Sequence, residues 1–242
     1  MRRKYIIMAI LVAFFTFVIT TGFFKRDAIK TRLGFVPKWD STFRPNQYVR
    51  MVDEFESATY TPDDIVFLGN SITFHGNWTE RLGSEKYKNR GISGDITFGL
   101  LNRLDSSCIG KPKKIFILIG VNDLKYNIPV YVILNNYSRI VDSIRMKSPN
   151  TKIYFQSVLP VNPSINHSKS LAKIQPQIPK LNEGLKLLTV QDHIAYIDLN
   201  SQFADSLGNL KREYTIDGLH LMTKGYNQWI RVLNDLGYLS ED

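Results

Sequence analysis

The chain has 242 residues, 43% hydrophobic and 22% charged, the make-up of a folded protein with a core rather than of a disordered or fibrous one. Its single cysteine, Cys108, excludes an internal disulfide and a cysteine-rich zinc or iron–sulfur site. The net charge of +9 is concentrated at the start, where Arg2, Arg3, Lys4, Lys25 and Arg26 precede the first acid, Asp27; the rest carries 26 basic against 22 acidic residues, with no dense basic run interleaved with aromatics, which argues against nucleic acid as a partner.

Residues 5–24 form an uncharged run of 20 residues between two basic clusters. As a helix this run spans ~30 Å, the thickness of a hydrocarbon core. Its exit, Ile19-Thr20-Thr21-Gly22-Phe23-Phe24, lacks a small-x-small cleavage site. Residues 1–26 are therefore predicted to be an uncleaved signal anchor with a transmembrane helix, the alternative being a cleaved signal peptide and a secreted protein. Arg2, Arg3 and Lys4 favour a cytoplasmic N-terminus, so the body is expected outside, in a periplasm or at a cell surface.

Residues 27–60 read as a connector that contains Pro37, Pro45 and a helix over 46–56, whose apolar Met51, Val52 and Phe55 are expected to pack against the domain that follows, 61–242. Within that domain, apolar runs at 64–68 and 114–119 end at Gly69 and Gly120 and read as buried strands. Further strands are expected at 151–158 and 194–199, and a weaker one at 87–92. Helical spacing appears at 78–82, 98–104, 130–146, 181–188 and 223–236, with Pro149 stopping the long helix soon after Lys147. Strands alternating with helices predict an α/β fold, a mostly parallel sheet with helices on both faces.

In such sheets the ligand site lies beyond the carboxyl ends of the strands. The residues there are Gly69-Asn70-Ser71-Ile72-Thr73, then Gly91-Ile92-Ser93-Gly94-Asp95, then Gly120-Val121-Asn122-Asp123, with Asp217-Gly218-Leu219-His220 before the last helix. Each segment alone is open to a plainer reading: a helix N-cap at Ser71, turn chemistry at Asn122, an Asx turn with an exposed histidine at 217–220. Together they supply a hydroxyl nucleophile, a carboxylate–histidine pair and candidate oxyanion donors, which is the set that acyl transfer requires.

With Asn-Arg-Gly-Ile-Ser-Gly-Asp at 89–95, these four segments resemble, in order, the motif blocks of the SGNH (GDSL-type) hydrolases, over residues 64–238. The resemblance implies a three-layer α/β/α sandwich with a flavodoxin-like sheet, and a serine esterase. It implies that Ser71 is the nucleophile, His220 the general base and Asp217 the carboxylate that orients it. The oxyanion hole would comprise the backbone N–H groups of Ser71 and Gly94 and the side-chain amide of Asn122. Asn70 stands where the family usually has aspartate, which is expected to alter loop bonding rather than chemistry.

His75, one turn after Ser71, together with Asp95 and Tyr126, are the candidates for touching substrate. Phe74, Trp78, Tyr126 and Tyr131 are placed either to stack on sugar rings or to fill the core, and the proline-containing loop at 159–177 to cover the site. His167 and His193 read as surface residues. The histidines lack metal-ligand spacing, and there is no Gly-x-Ser-x-Gly elbow, phosphate loop or dinucleotide fingerprint, so neither metal nor cofactor is expected. Within the resemblance, a small-molecule or glycan ester is the expected substrate and acetyl the expected acyl group. A lipase-like or lysophospholipase activity, an O-acetyltransferase and a non-catalytic binding module are the alternatives. No heptad seam predicts an oligomer.

Overall fold

The computed structural model describes Thr42 and residues 44–240. The predicted signal anchor and the first part of the connector lie outside these residues. Among the described residues, no helix is long and apolar enough to cross a membrane.

Five parallel strands form the sheet: β1 (Ile65–Gly69), β2 (Tyr87–Gly91), β3 (Lys114–Leu118), β4 (Lys152–Gln156) and β5 (Ala195–Ile197), in the order β2-β1-β3-β4-β5. All five lie within the runs expected from apolar patterning, except that β1 extends to Gly69. The order is that of flavodoxin-type sheets, with its reversal between β1 and β3, so the loops after these two strands diverge and leave a crevice.

β1 and β3 are buried throughout because helices cover both faces. On one face, Phe67, Phe116 and Tyr154 stand opposite one another across neighbouring strands and stack, with ring centroids 5.2 and 4.7 Å apart. Trp78 of α3 (Trp78–Leu82) lies flat on Phe67 at 3.9 Å, and Trp229 of α11 (Thr223–Asp235) meets Trp78 edge-on. On the other face Phe155 meets Tyr137 of α7 (Val130–Lys147), which in turn packs against α9 (Ile178–Gln191).

Residues 98–104, expected as one helix, form two: α4 (Thr97–Asn102) and α5 (Leu104–Cys108), broken at Arg103, whose backbone leaves the helical region at φ −121°. The helix of the connector is α1 (Tyr48–Ser57). Its Tyr48, Met51 and Phe55 close around Ile92, and it belongs to one compact unit that runs from Ser41 onward. Short helices follow three of the strands: α2 (Ser71–Phe74) after β1, α6 (Val121–Lys125) after β3 and α10 (Asn200–Phe203) after β5. The expected cover at 159–177 is not a free flap. Its first four residues, 159–162, are buried, and its second half forms α8 (Lys169–Ile174) and a 3-10 turn.

Candidate active site

β1 delivers the chain to Ser71, the first residue of α2. Asn70 caps this helix: its Oδ1 accepts the Ile72 N–H at 3.0 Å, satisfying one of the orphan amides of a helix start. The Nδ2 of Asn70 and the Oγ1 of Thr73 are buried without a hydrogen-bond partner. The hydroxyl of Tyr226 donates to the Ile72 carbonyl at 2.8 Å and clamps α2 to α11.

The Oγ of Ser71 lies 2.9 Å from Nε2 of His220, and Nδ1 of His220 lies 2.6 Å from Oδ2 of Asp217. The second carboxylate oxygen, Oδ1, accepts the N–H groups of Leu219 and His220 at 2.9 and 2.8 Å and the Thr215 hydroxyl at 3.3 Å. Burial pushes the Asp217 carboxyl up in pKa, but these donations from His220 and Leu219 outweigh it and bring it down to about 2. A carboxylate so held stays ionised and keeps the proton of His220 on Nδ1, which leaves Nε2 as an acceptor toward Ser71.

The loop that carries the pair is anchored from beneath. Gly218 has φ +84°, and a Cβ there would sit 2.2 Å from the Asn162 carbonyl oxygen, so only glycine fits. The Asn162 N–H donates to the Gly218 carbonyl at 2.8 Å, and its side-chain amide donates to that of Leu210. The 159–177 segment thus supports the catalytic loop instead of covering it.

Gly94 turns at φ +82°, and α6 begins just before Asn122. One N–H of the Asn122 side chain donates to the Asp95 carbonyl at 2.9 Å, which holds the carboxamide beside the 93–95 turn and leaves its second N–H for a ligand. Asp123 is fully buried and accepts from the N–H and hydroxyl of Thr97, tying α6 to α4; burial pushes its carboxyl up to about 7 against these donations.

Asp95, expected as a substrate contact, is turned inward. It is wholly buried, with Oδ2 bound to the Arg103 Nε at 2.8 Å and Oδ1 to the Ile96 N–H. Arg103 also donates to the carbonyls of Arg90 and Gly69 at 2.9 Å each, so one guanidinium ties the carboxyl ends of β1 and β2 to the 93–95 turn.

Trp78 is likewise a core residue, unavailable to a sugar ring. His75 is exposed beside the site, its ring edge-on to His220 at 6.0 Å; burial and the neighbouring His220 lower its pKa. Tyr126 is partly buried in the wall of a cleft with Ser93 and Gly94. Tyr131 is 72% exposed, and His167 and His193 lie at the surface. Among the described residues, no cluster of side chains could hold a metal ion.

A serine hydroxyl on a strand-to-helix turn, backed by a histidine and an ionised aspartate, defines the hydrolases that work through an activated serine. The chain belongs to the GDSL-like lipase/acylhydrolase family, whose profile matches residues 67–228, and is a carboxylic ester hydrolase. It is similar to a protein from Streptococcus pneumonia named after platelet activating factor, at 31% identity and a TM-score of 0.73, over 78% of this chain and 92% of that one. An acetylxylan esterase from Geobacillus stearothermophilus shares the fold at 17% identity and a TM-score of 0.54, over 74% of this chain and 96% of that one. The chain also resembles an N-acylneuraminate cytidylyltransferase of Escherichia coli, with 26% identity over 72% of its own length but only 39% of the relative's.

Proposed function

We propose that the protein removes small acyl groups, acetyl foremost, from carbohydrate or similar esters through an acyl-enzyme on Ser71. The observation that carries this reading is the unbroken line of hydrogen bonds from Asp217 through His220 to Ser71. In this mechanism His220 Nε2 takes the proton of Ser71 as Oγ attacks the ester carbonyl. The oxyanion settles against the N–H groups of Ser71 and Gly94 and the spare N–H of Asn122. Collapse of the tetrahedral intermediate expels the alcohol with the proton from His220, and water then repeats the sequence on the acyl-enzyme.

The small acyl group is supported by the cleft beside Gly94, about 460 Å³, whose lining of Arg44, Asn46, Gln47, Ser93 and Tyr126 suits hydroxyl groups better than a lipid chain. The same reading tethers the protein by residues 5–24 and places the enzyme outside the cytoplasm. Full-length protein should then stay in membranes through a carbonate wash, and its release would refute the tether.

The test of function is hydrolysis of p-nitrophenyl esters from acetate to long chains, beside acetylated sugars, by wild type, Ser71→Ala and His220→Ala. Highest activity on acetate and acetylated sugars, lost in both variants, is the expected result. Rates that rise with chain length would assign a lipid acylhydrolase, and transfer to a sugar hydroxyl in preference to water would assign an O-acetyltransferase.

A further inference from the structure

The two backbone groups that would hold the oxyanion sit on different segments, Ser71 at the start of α2 and Gly94 in the 92–95 turn. Their spacing depends on whatever packs against both. The turn closes through the Asp95 N–H, which donates to the Ile92 carbonyl at 3.1 Å, and the Ile92 N–H donates to the Gly69 carbonyl at the end of β1, also at 3.1 Å. The Ile92 side chain is wholly buried, yet it lies outside the main core, in a small cluster with Tyr48, Met51 and Phe55 of α1. Phe74, the last residue of α2, packs against the same cluster. A helix that precedes the residues matched by the family profile thus touches the Ser71 helix and the Gly94 turn at once.

Tyr48 holds the turn from both sides. Its ring shares the cluster with Ile92, which precedes Gly94, and its hydroxyl donates at 2.7 Å to the carbonyl of Gly99 in α4, which follows. Pro45 closes on the turn between these two contacts: a Cβ on Gly94 would lie 3.3 Å from the proline's own. The Pro45 carbonyl accepts the Tyr48 N–H at 2.9 Å, so proline and tyrosine move as one piece. The far end of α1 is fixed as well. The Arg90 guanidinium lies 4.6 Å from the centre of the Phe55 ring and donates to the Tyr60 hydroxyl at 2.6 and 3.1 Å. A close-packed contact of this kind transmits a displacement instead of absorbing it.

We infer that α1 sets the spacing of the backbone oxyanion donors, with Tyr48 and Pro45 as positioning residues for the Gly94 N–H. This rests on the serine mechanism proposed above. In the first arm of the test, full-length wild type, Tyr48→Phe, Pro45→Gly and Pro45→Ala hydrolyse p-nitrophenyl acetate at a temperature where each is fully folded by circular dichroism. Tyr48→Phe and Pro45→Gly should lower kcat by about 10- to 100-fold with KM unchanged, the scale of a misplaced oxyanion donor. The acid limb of the pH profile should stay in place, because His220 and Asp217 lie on another loop. Pro45→Ala keeps the Cβ that faces Gly94 and should recover most of the rate. Thr151→Val serves as the control for lost stability alone: the Thr151 hydroxyl donates to the Pro112 carbonyl at 2.6 Å, just before β4 and so at the end of the sheet opposite the site. Its thermal midpoint should fall with kcat unchanged.

The second arm needs no turnover. Amide hydrogen exchange followed by mass spectrometry should be faster in Tyr48→Phe for the peptide that contains 92–96 and unchanged for the peptide that contains 217–220. A kcat within about two-fold of wild type in both Tyr48→Phe and Pro45→Gly, a rise in KM in place of the fall in kcat, or unaltered exchange at 92–96 overturns the inference. An equal loss of kcat in Thr151→Val also overturns it, since the effect would then be general instability. Turnover that persists in Ser71→Ala would sink the serine mechanism itself, and the positioning role with it.

Discussion

Asp217→Asn separates orientation of His220 from mere presence of a polar side chain. In the native loop Oδ1 accepts two backbone N–H groups, from Leu219 and His220, while Oδ2 faces His220 Nδ1 at 2.6 Å. An asparagine must keep its oxygen toward the two N–H donors, because its NH₂ cannot accept from them. The NH₂ then faces Nδ1, which has to become the acceptor, and the imidazole proton moves to Nε2. A protonated Nε2 donates to Ser71 instead of taking its proton, so the base is lost while the loop survives.

By the scale of the same change in a serine protease, kcat should fall by ~10⁴-fold, or ~5 kcal/mol in the barrier. The thermal midpoint should stay close to wild type. Asp217→Ala should match that loss of rate and also lower stability, by up to ~2 kcal/mol, because three donors lose their acceptor at a partly exposed site. The assay is initial-rate hydrolysis of p-nitrophenyl acetate beside thermal unfolding of each variant. A loss of rate below ten-fold in Asp217→Asn, or an equal loss of stability in both variants, would refute this account of the pair.

Asn122→Ala removes the proposed oxyanion donor while α6 stays in place through Asp123, so kcat should drop by about 100- to 1000-fold with little change in KM, measured by steady-state kinetics on p-nitrophenyl acetate. Arg103→Met leaves Asp95 buried without its partner and frees the carbonyls of Gly69 and Arg90; destabilisation of about 3–5 kcal/mol is expected in urea unfolding. Asp123 is held at about 7 by burial, above the ~4 of an unfolded aspartate. Between those values the folded chain keeps a proton that the unfolded chain has released, so this group's contribution to stability declines as pH rises through that window. Asp123→Asn should flatten that decline, read from urea midpoints at several pH values between 4 and 8.

The strands and the loops that follow them were legible because apolar runs ending at glycine leave few alternatives, and because the residues proposed to act, Ser71, Asn122 and His220, lie at strand ends or in the last loop. What escaped acts across the fold. Arg103 lies in a helical stretch where an arginine reads as a solvated charge; only the break between α4 and α5 turns it inward to the strand ends.

Asp95 reads as a substrate contact in the sequence, yet the turn points its side chain to Arg103. Tyr226 and Asn162 brace α2 and the 217–220 loop from elements 154 and 56 residues away in sequence from Ile72 and Gly218, with no local pattern to mark them. The packing of the connector helix through Met51 and Phe55 was legible from their spacing, whereas its partner Ile92 and the contribution of Tyr48 were not.

The central claim is an acyl-enzyme on Ser71. Full-length protein mixed with p-nitrophenyl acetate, quenched during turnover and digested for mass spectrometry should carry a single acetyl group on the peptide that contains Ser71, and Ser71→Ala should carry none and release no nitrophenolate above the uncatalysed rate. An acetyl group on another residue, or turnover that persists in Ser71→Ala, would contradict it.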